Sequence, residues 1–285
     1  MIYFIGSRWR GGDPKWGIGP LSSILWETCP EPLTCIHACD EGLDQHELDR
    51  RVLTACREGT VLIEYGARNP SPQAMQELAL RCRVVSIWTD SHTTDERALL
   101  GFPVSLDGGK FWCKPCPRNI PHEETTRDID VLFSGEITGE RLQINALRSL
   151  PINAVIREGW WSADALPEEE YIALSRRAKI VVNFSRARNT AGEVHQFKGR
   201  TCDSFYTGAM LLESANPVTR RWFTPGIHYT EFDGDLPERV MYYLQHEAQR
   251  AEIAKAGEKR MRAWGLQYWP ALLSASQAES IRVAA

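Results

Sequence analysis

Residues 179–213 read KIVVNFSRARNTAGEVHQFKGRTCDSFYTGAMLLE. Lys179–Phe184 is a short β-branched apolar run, the composition of a buried strand. A polar loop rich in glycine and basic residues follows. The spacing then predicts a helix over Thr201–Thr207 and a second strand over Ala209–Leu212. The helix opens just after Lys198-Gly199-Arg200. A helix start presents unpaired N–H groups and a partial positive charge, and Gly199 lets a ligand approach the backbone closely. With a cation on either side of that glycine, the junction is a candidate diphosphate site. A solvated basic loop ahead of a helix fits the spacing equally well.

The same alternation extends in both directions. Downstream, a short helix over Pro217–Phe223, a strand over His228–Phe232 and two helices, Pro237–Gln249 and Ala251–Ala263, close the series. Upstream lie a strand at Ile129–Phe133 with a Ser134-Gly135 stop, a helix at Gly139–Leu150, a strand at Ile152–Ile156 and a helix at Glu168–Arg177. An earlier series offers strands at Ile2–Ile5, Leu33–Ala38, Thr60–Tyr65, Val84–Thr89 and Phe102–Leu106. Its helices fall at Pro20–Trp26, Leu43–Arg57 and Pro72–Arg81. Strand and helix in strict alternation mean βαβ units and parallel sheets. Between the two series, Lys114–Pro121 carries prolines at 115, 117 and 121 and is followed by the polar HEETTRD. The boundary is placed there, giving an N-terminal Rossmann-like domain over 1–120, a second over 127–265 and a tail or helix over 266–285 that packs back on the first. The expected architecture is α/β, with two parallel sheets facing across a cleft.

The 285 residues carry 33 Lys and Arg against 37 Asp and Glu, a net charge of −4. That balance argues against a protein that coats nucleic acid. Within 176–200, however, Arg176, Arg177, Lys179, Arg186, Arg188, Lys198 and Arg200 face the single acid Glu193, a local basic cluster suited to a small anion. No apolar run approaches the roughly 20 residues of a membrane span. MIYFIGSRWRGG reads as a core strand entering a glycine loop and not as a leader. The 8 cysteines fit no disulfide framework; Cys113 and Cys116 form a lone C-x-x-C, and reduced thiols in the cytoplasm are expected.

The run QFKGRTCDSFYTGAMLLES resembles the signature of nucleotide-sugar glycosyltransferases of the GT-B fold, and is similar above all to the glycosyl-transferase-like proteins of the CgeB group. VVNFSRA and the segment from Arg220 to Met261, with its aromatic-x-P-G and closing helices, resemble the same group. The resemblance covers most of 127–265 and implies glycosyl transfer (EC 2.4 type) from a nucleotide-diphosphate sugar held by the C-terminal domain. It implies that Lys198, Gly199 and Arg200 bind the diphosphate together with Ser134, Gly135 and Arg141, that Gln196 belongs to the donor site, and that Asp203 meets the ribose where relatives carry Glu. Eight positions before Asp203, where a related Glu contacts the donor sugar, this chain has His195, a candidate catalytic residue.

Such a site neutralises the leaving diphosphate with side-chain cations and a helix N-terminus, so no metal and no cofactor beyond the donor is expected. Asp128-Ile129-Asp130 has metal-ligand spacing but precedes its strand, and reads as a strand entry. The acceptor side is assigned to Trp16, Gly17 and Gly19 in the loop after the first strand. Asp90 or His92, after VVSIWT, is the candidate for taking the acceptor proton. Some of the 10 tryptophans can stack on sugars, although core packing accounts for each one singly. The acceptor is open: polysaccharide, protein, small molecule or modified DNA. Two other functions remain open as well, a nucleotide-sugar epimerase or hydrolase on the same fold and an inactive nucleotide-binding protein.

Overall fold

The β-branched runs become strands because each has apolar residues for two faces. In β1 (Ile2–Gly6), Tyr3 and Ile5 point into one core cluster while Ile2 and Phe4 point into another. The computed structural model describes residues 1–6, 28–37, 44–64, 70–87, 118–135, 137, 141–158, 166–189, 192–195 and 197–274. These fall into two compact units: one built from the described residues up to 87 with 266–274, the other from those of 118–265.

In the first unit, β1 is followed by β2 (Leu33–His37), α1 (Gln45–Ala55), β3 (Gly59–Glu64), α2 (Pro72–Ala79) and β4 (Cys82–Ile87). The four strands are parallel, in the order β2-β1-β3-β4. Leu48 and Val52 of α1 and Met75 and Leu78 of α2 cover one face. Both helices are capped by their own side chains: Asp44 accepts from the Glu47 N–H at 2.7 Å and Ser71 from the Ala74 N–H at 3.2 Å. The opposite face, with Phe4, Leu62 and Val85, is covered by Tyr268 and Trp269 from the end of the last helix. Arg83 fixes that end by donating to the Leu273 carbonyl.

The second unit runs β5 (Ile129–Gly135), α3 (Arg141–Arg148), β6 (Ala154–Glu158), α4 (Glu168–Arg177), β7 (Ala178–Asn183), β8 (Arg186–Asn189), β9 (Gly192–His195), α5 (Gly199–Tyr206), β10 (Met210–Ser214), β11 (Thr230–Phe232), α6 (Leu236–Gln245) and α7 (Glu247–Ser274). Five strands form a parallel sheet in the order β11-β10-β7-β5-β6. Counted within the unit this is a doubly wound order, with the chain reversing direction across the sheet between β5 and β7. β5, β7 and β10 are buried on both faces, as central strands of a covered parallel sheet must be. Ile144 and Leu147 of α3 and Val240 and Tyr243 of α6 pack one face beside Phe133, Phe184 and Phe232. Gly257 permits α7 to pack closely: a Cβ there would lie 2.3 Å from the His228 carbonyl oxygen.

Three expectations change. The polar loop after β7 contains an antiparallel hairpin, β8 against β9, with Arg186 opposite His195 and Asn189 opposite Gly192; its residues carry too little apolar alternation to show as strands. The helix expected over Pro217–Phe223 is a single 3-10 turn, Thr219–Arg221. The last helix continues past Ala263 to Ser274 and includes Pro270. The strand expected at Phe102–Leu106, the helix at Pro20–Trp26 and the pair Cys113 and Cys116 lie outside the described residues.

Candidate active site

In a doubly wound sheet, ligands bind outside the carboxyl ends of the strands where the order reverses. Here that point is the gap between the ends of β5 and β7. It gathers Ser134 and Gly135 from β5, Asn183 and the following Ser185 from β7, and Glu213 and Ser214 from the end of neighbouring β10.

Arg200 lies across the end of β5. Its guanidinium carbon is 5.5 Å from the centre of the Phe133 ring. Gly135 has φ +153°, and a Cβ there would sit 2.3 Å from Arg200 Nη2 and 2.5 Å from Nη1. The glycine is therefore the space that the guanidinium occupies. Arg200 belongs to the first turn of α5, whose N-cap is Lys198. A lysine side chain has no acceptor, and it caps none of the first-turn N–H groups, in contrast to the capped starts of α1 and α2. The Thr201 N–H closes on the Lys198 carbonyl at 2.9 Å, and the positive end of the helix macrodipole and two cationic side chains coincide at this helix start.

His195, at the end of β9, has its Nδ1 3.1 Å from Ser185 Oγ. Ser185 is held in turn by Ser214, which accepts its N–H at 2.9 Å and lies 3.2 Å away hydroxyl to hydroxyl. This chain of hydroxyls fixes the plane of the imidazole at the carboxyl edge. Asp203 is on the same helix as Arg200 but is 1% exposed, and its Oδ1 is 3.1 Å from Arg118 Nε. The Tyr171 hydroxyl is buried beside this pair; burial and the Asp203 charge push its pKa far up.

From sequence Glu213 is either a donor contact implied by the resemblance or, the reading favoured by its place at a strand end, an exposed surface carboxylate. It is fully buried. Asn183 Nδ2 donates to its Oε1 at 2.5 Å and Thr201 Oγ1 at 3.2 Å, and Asn183 Nδ2 also contacts Thr201 Oγ1 at 3.1 Å. Burial pushes its pKa up to about 7, against the opposing pull of neighbouring Thr219, Asn183, Asn216 and Thr201.

The basic cluster of 176–200 is not one cluster. Arg176 pairs with Glu123 at 2.8 Å, Arg177 with Asp128 at 2.5 Å and Lys179 with Asp130 at 2.6 Å, at the amino edge of the sheet. Lys198 and Arg200 belong to the carboxyl edge. The two aspartates of D-I-D are thus engaged by cations, and Asp130 also accepts the Asn153 N–H. No group of three His, Cys, Asp or Glu able to hold a metal occurs among the described residues.

Of the residues singled out from sequence, Ser134, Gly135, Lys198, Gly199, Arg200 and His195 fall at this edge, and Asp203 is buried below it. Arg141 begins α3, but its side chain is not among those described. Trp16, Gly17, Gly19, Asp90, His92 and Gln196 lie outside the described residues. Sequence reasoning passed over Asn183, Ser185, Ser214 and Arg118, all ordinary strand-end or linker residues whose roles exist only once the sheet is assembled.

Residues 128–264, nearly the whole of the second unit, match the family model described as glycosyl transferase-like. The fold of the chain is that of GT-B glycosyltransferases. It is similar to Anabaena HepE, in a crystal structure with UDP-glucose, at 10% identity and a TM-score of 0.55, covering 95% of this chain and 97% of that one. It is likewise similar to sucrose-phosphate synthase from Thermosynechococcus elongatus, at 11% identity and a TM-score of 0.62, covering 100% and 99%. A third likeness is AviGT4, a glycosyltransferase involved in avilamycin A biosynthesis, at 14% identity and a TM-score of 0.51, covering 96% and 98%. No curated protein sequence matches the chain. No described helix is long and apolar enough to cross a membrane.

Proposed function

We propose that the protein transfers a sugar from a nucleotide-diphosphate sugar to an acceptor. The observation that carries this reading is Arg200 lying over Gly135 at the uncapped start of α5. As the bond between the sugar and the diphosphate breaks, negative charge grows on the leaving phosphate. Arg200, Lys198 and the α5 N–H groups neutralise that charge, with the Ser134-Gly135 backbone, Arg141 and Gln196 completing the donor contacts. No metal is needed for this step, and the nucleotide sugar is the only small molecule required.

His195, oriented by Ser185, faces the donor sugar in this reading. The ribose contact that the resemblance implies for Asp203 requires this carboxylate, 1% exposed and paired with Arg118, to open toward the donor. Asp90 or His92 takes the acceptor proton, and Trp16, Gly17 and Gly19 line the acceptor side. The UDP-glucose complex of HepE supports a donor of that chemical class. Free thiols at Cys29, Cys56, Cys82 and Cys202 suit a cytoplasmic setting.

The test is mass spectrometry of the protein incubated with a mixture of UDP-, dTDP-, ADP- and GDP-sugars and candidate acceptors. Consumption of one donor with a glycosylated acceptor is the expected result. Donor hydrolysis or epimerisation without acceptor, or no turnover in chelator that Mg²⁺ or Mn²⁺ restores, contradicts it.

A further inference from the structure

Glu213 sits behind the start of α5 and has no part in the chemistry just described. It is fully buried at the end of β10, in a sheet edge proposed to receive an anion. Its Oε1 takes hydrogen bonds from Asn183, at the end of β7, and from Thr201, in the first turns of α5. It therefore joins the strand and the helix whose relative position sets the diphosphate site. Two acceptor atoms in this network, Glu213 Oε2 and Asn183 Oδ1, receive no hydrogen bond from the described chain. A proton on Glu213 removes the buried charge and turns one acceptor into a donor.

The groups around the carboxyl are Asn183 on β7, Thr201 on α5, and Asn216 and Thr219 after β10. Tyr229, before β11, completes the shell. Tyr229 donates to Glu231 at 2.7 Å, and Glu231 is paired with Arg220. Burial and these carboxylates keep the Tyr229 hydroxyl protonated. The Arg220 and Tyr229 hydrogen bonds overcome burial to hold Glu231 ionised. No described cation touches Glu213 itself.

We propose that Glu213 is a positioning residue of the donor site, which in its neutral form locks β7 to the start of α5 and takes up a proton when a nucleotide diphosphate binds. The inference rests on the donor site assigned above. A diphosphate at the α5 start repels a carboxylate behind it, so binding favours the protonated form, and affinity declines as pH rises through neutrality.

The experiment is calorimetric titration of the intact protein with UDP-, dTDP-, ADP- and GDP-glucose, whose diphosphates do not titrate near neutrality. It is run at pH 6 and pH 8.5 and in buffers of different ionisation enthalpy. Wild-type affinity for the bound donor should fall about five- to tenfold across that range, with proton uptake on binding. Glu213→Gln keeps the shape without the charge, and should bind with little pH dependence, without that uptake, and as tightly as wild type at pH 6. Thr201→Val should weaken binding at both pH values while leaving the pH slope. A Glu213→Gln protein that is folded and retains the wild-type slope and proton uptake overturns the proposal and leaves the donor site standing. Failure of the wild type to bind any of the four overturns the donor site, and this inference with it.

Discussion

Gly135 is where one atom more should separate folding from binding. An alanine Cβ there would meet the guanidinium of Arg200, the movable end of a long side chain. The positive φ costs an L-residue roughly 1–2 kcal/mol, and Arg200 must swing away. Gly135→Ala should therefore lose most diphosphate affinity with only a modest fall in thermal midpoint, read by calorimetry and thermal melts. Glu213 makes the second prediction at this scale. Its folded pKa, about 7, lies above the 4.5 of an ordinary glutamate. The native state then binds more protons than the unfolded one between those values, so this contribution to stability is complete below pH 4.5 and is lost as pH rises through 7. The shift corresponds to about 3 kcal/mol at the order-of-magnitude level. The difference in stability between wild type and Glu213→Gln, measured by urea unfolding from pH 5 to pH 8, should move in favour of Gln as pH rises. Lys198, Gly199 and Arg200 were legible in the sequence because a glycine between cations before a helix is a local pattern. Glu213 was not, because its burial depends on β7 and α5 packing over the end of β10.

Among the elements, the strands were readable because central parallel strands are continuous apolar runs, and β1, β5 and β7 fall within one or two residues of expectation. The β8–β9 hairpin escaped because RARN and GEVH have no apolar face to betray a strand. What ties the helices to the sheet was equally hidden. Arg127 donates to the carbonyls of Arg176, Ala178 and Thr207 at 2.9, 2.6 and 2.9 Å. It holds the end of α4, the start of β7 and the end of α5 together from outside any element. Arg127→Ala should cost at least about 2 kcal/mol in chemical unfolding, since three carbonyls lose a charged donor. The buried Arg118–Asp203 pair makes a parallel case: Arg118→Met strands a carboxylate that is 1% exposed and should destabilise the protein by about 3–5 kcal/mol.

Across the whole molecule, two parallel sheets and the glycosyl transferase-like match over 128–264 divide the work unevenly. The second unit carries every described residue proposed for the donor, while the C-terminal end of α7, through Tyr268 and Trp269, belongs to the core of the first. The central claim is that a diphosphate is held at the start of α5, with Arg200 as its main cation. A charge-assisted contact contributes on the order of 1.5–3 kcal/mol. The measurement is binding of nucleoside diphosphates and of the matching nucleosides to wild type, Arg200→Ala and Arg200→Lys, each shown folded by circular dichroism. Arg200→Ala should weaken the diphosphate roughly ten- to a hundredfold and the nucleoside far less, with Lys restoring only part because it lacks the bidentate fork. Equal losses for nucleoside and diphosphate, or no loss for either, would contradict the account.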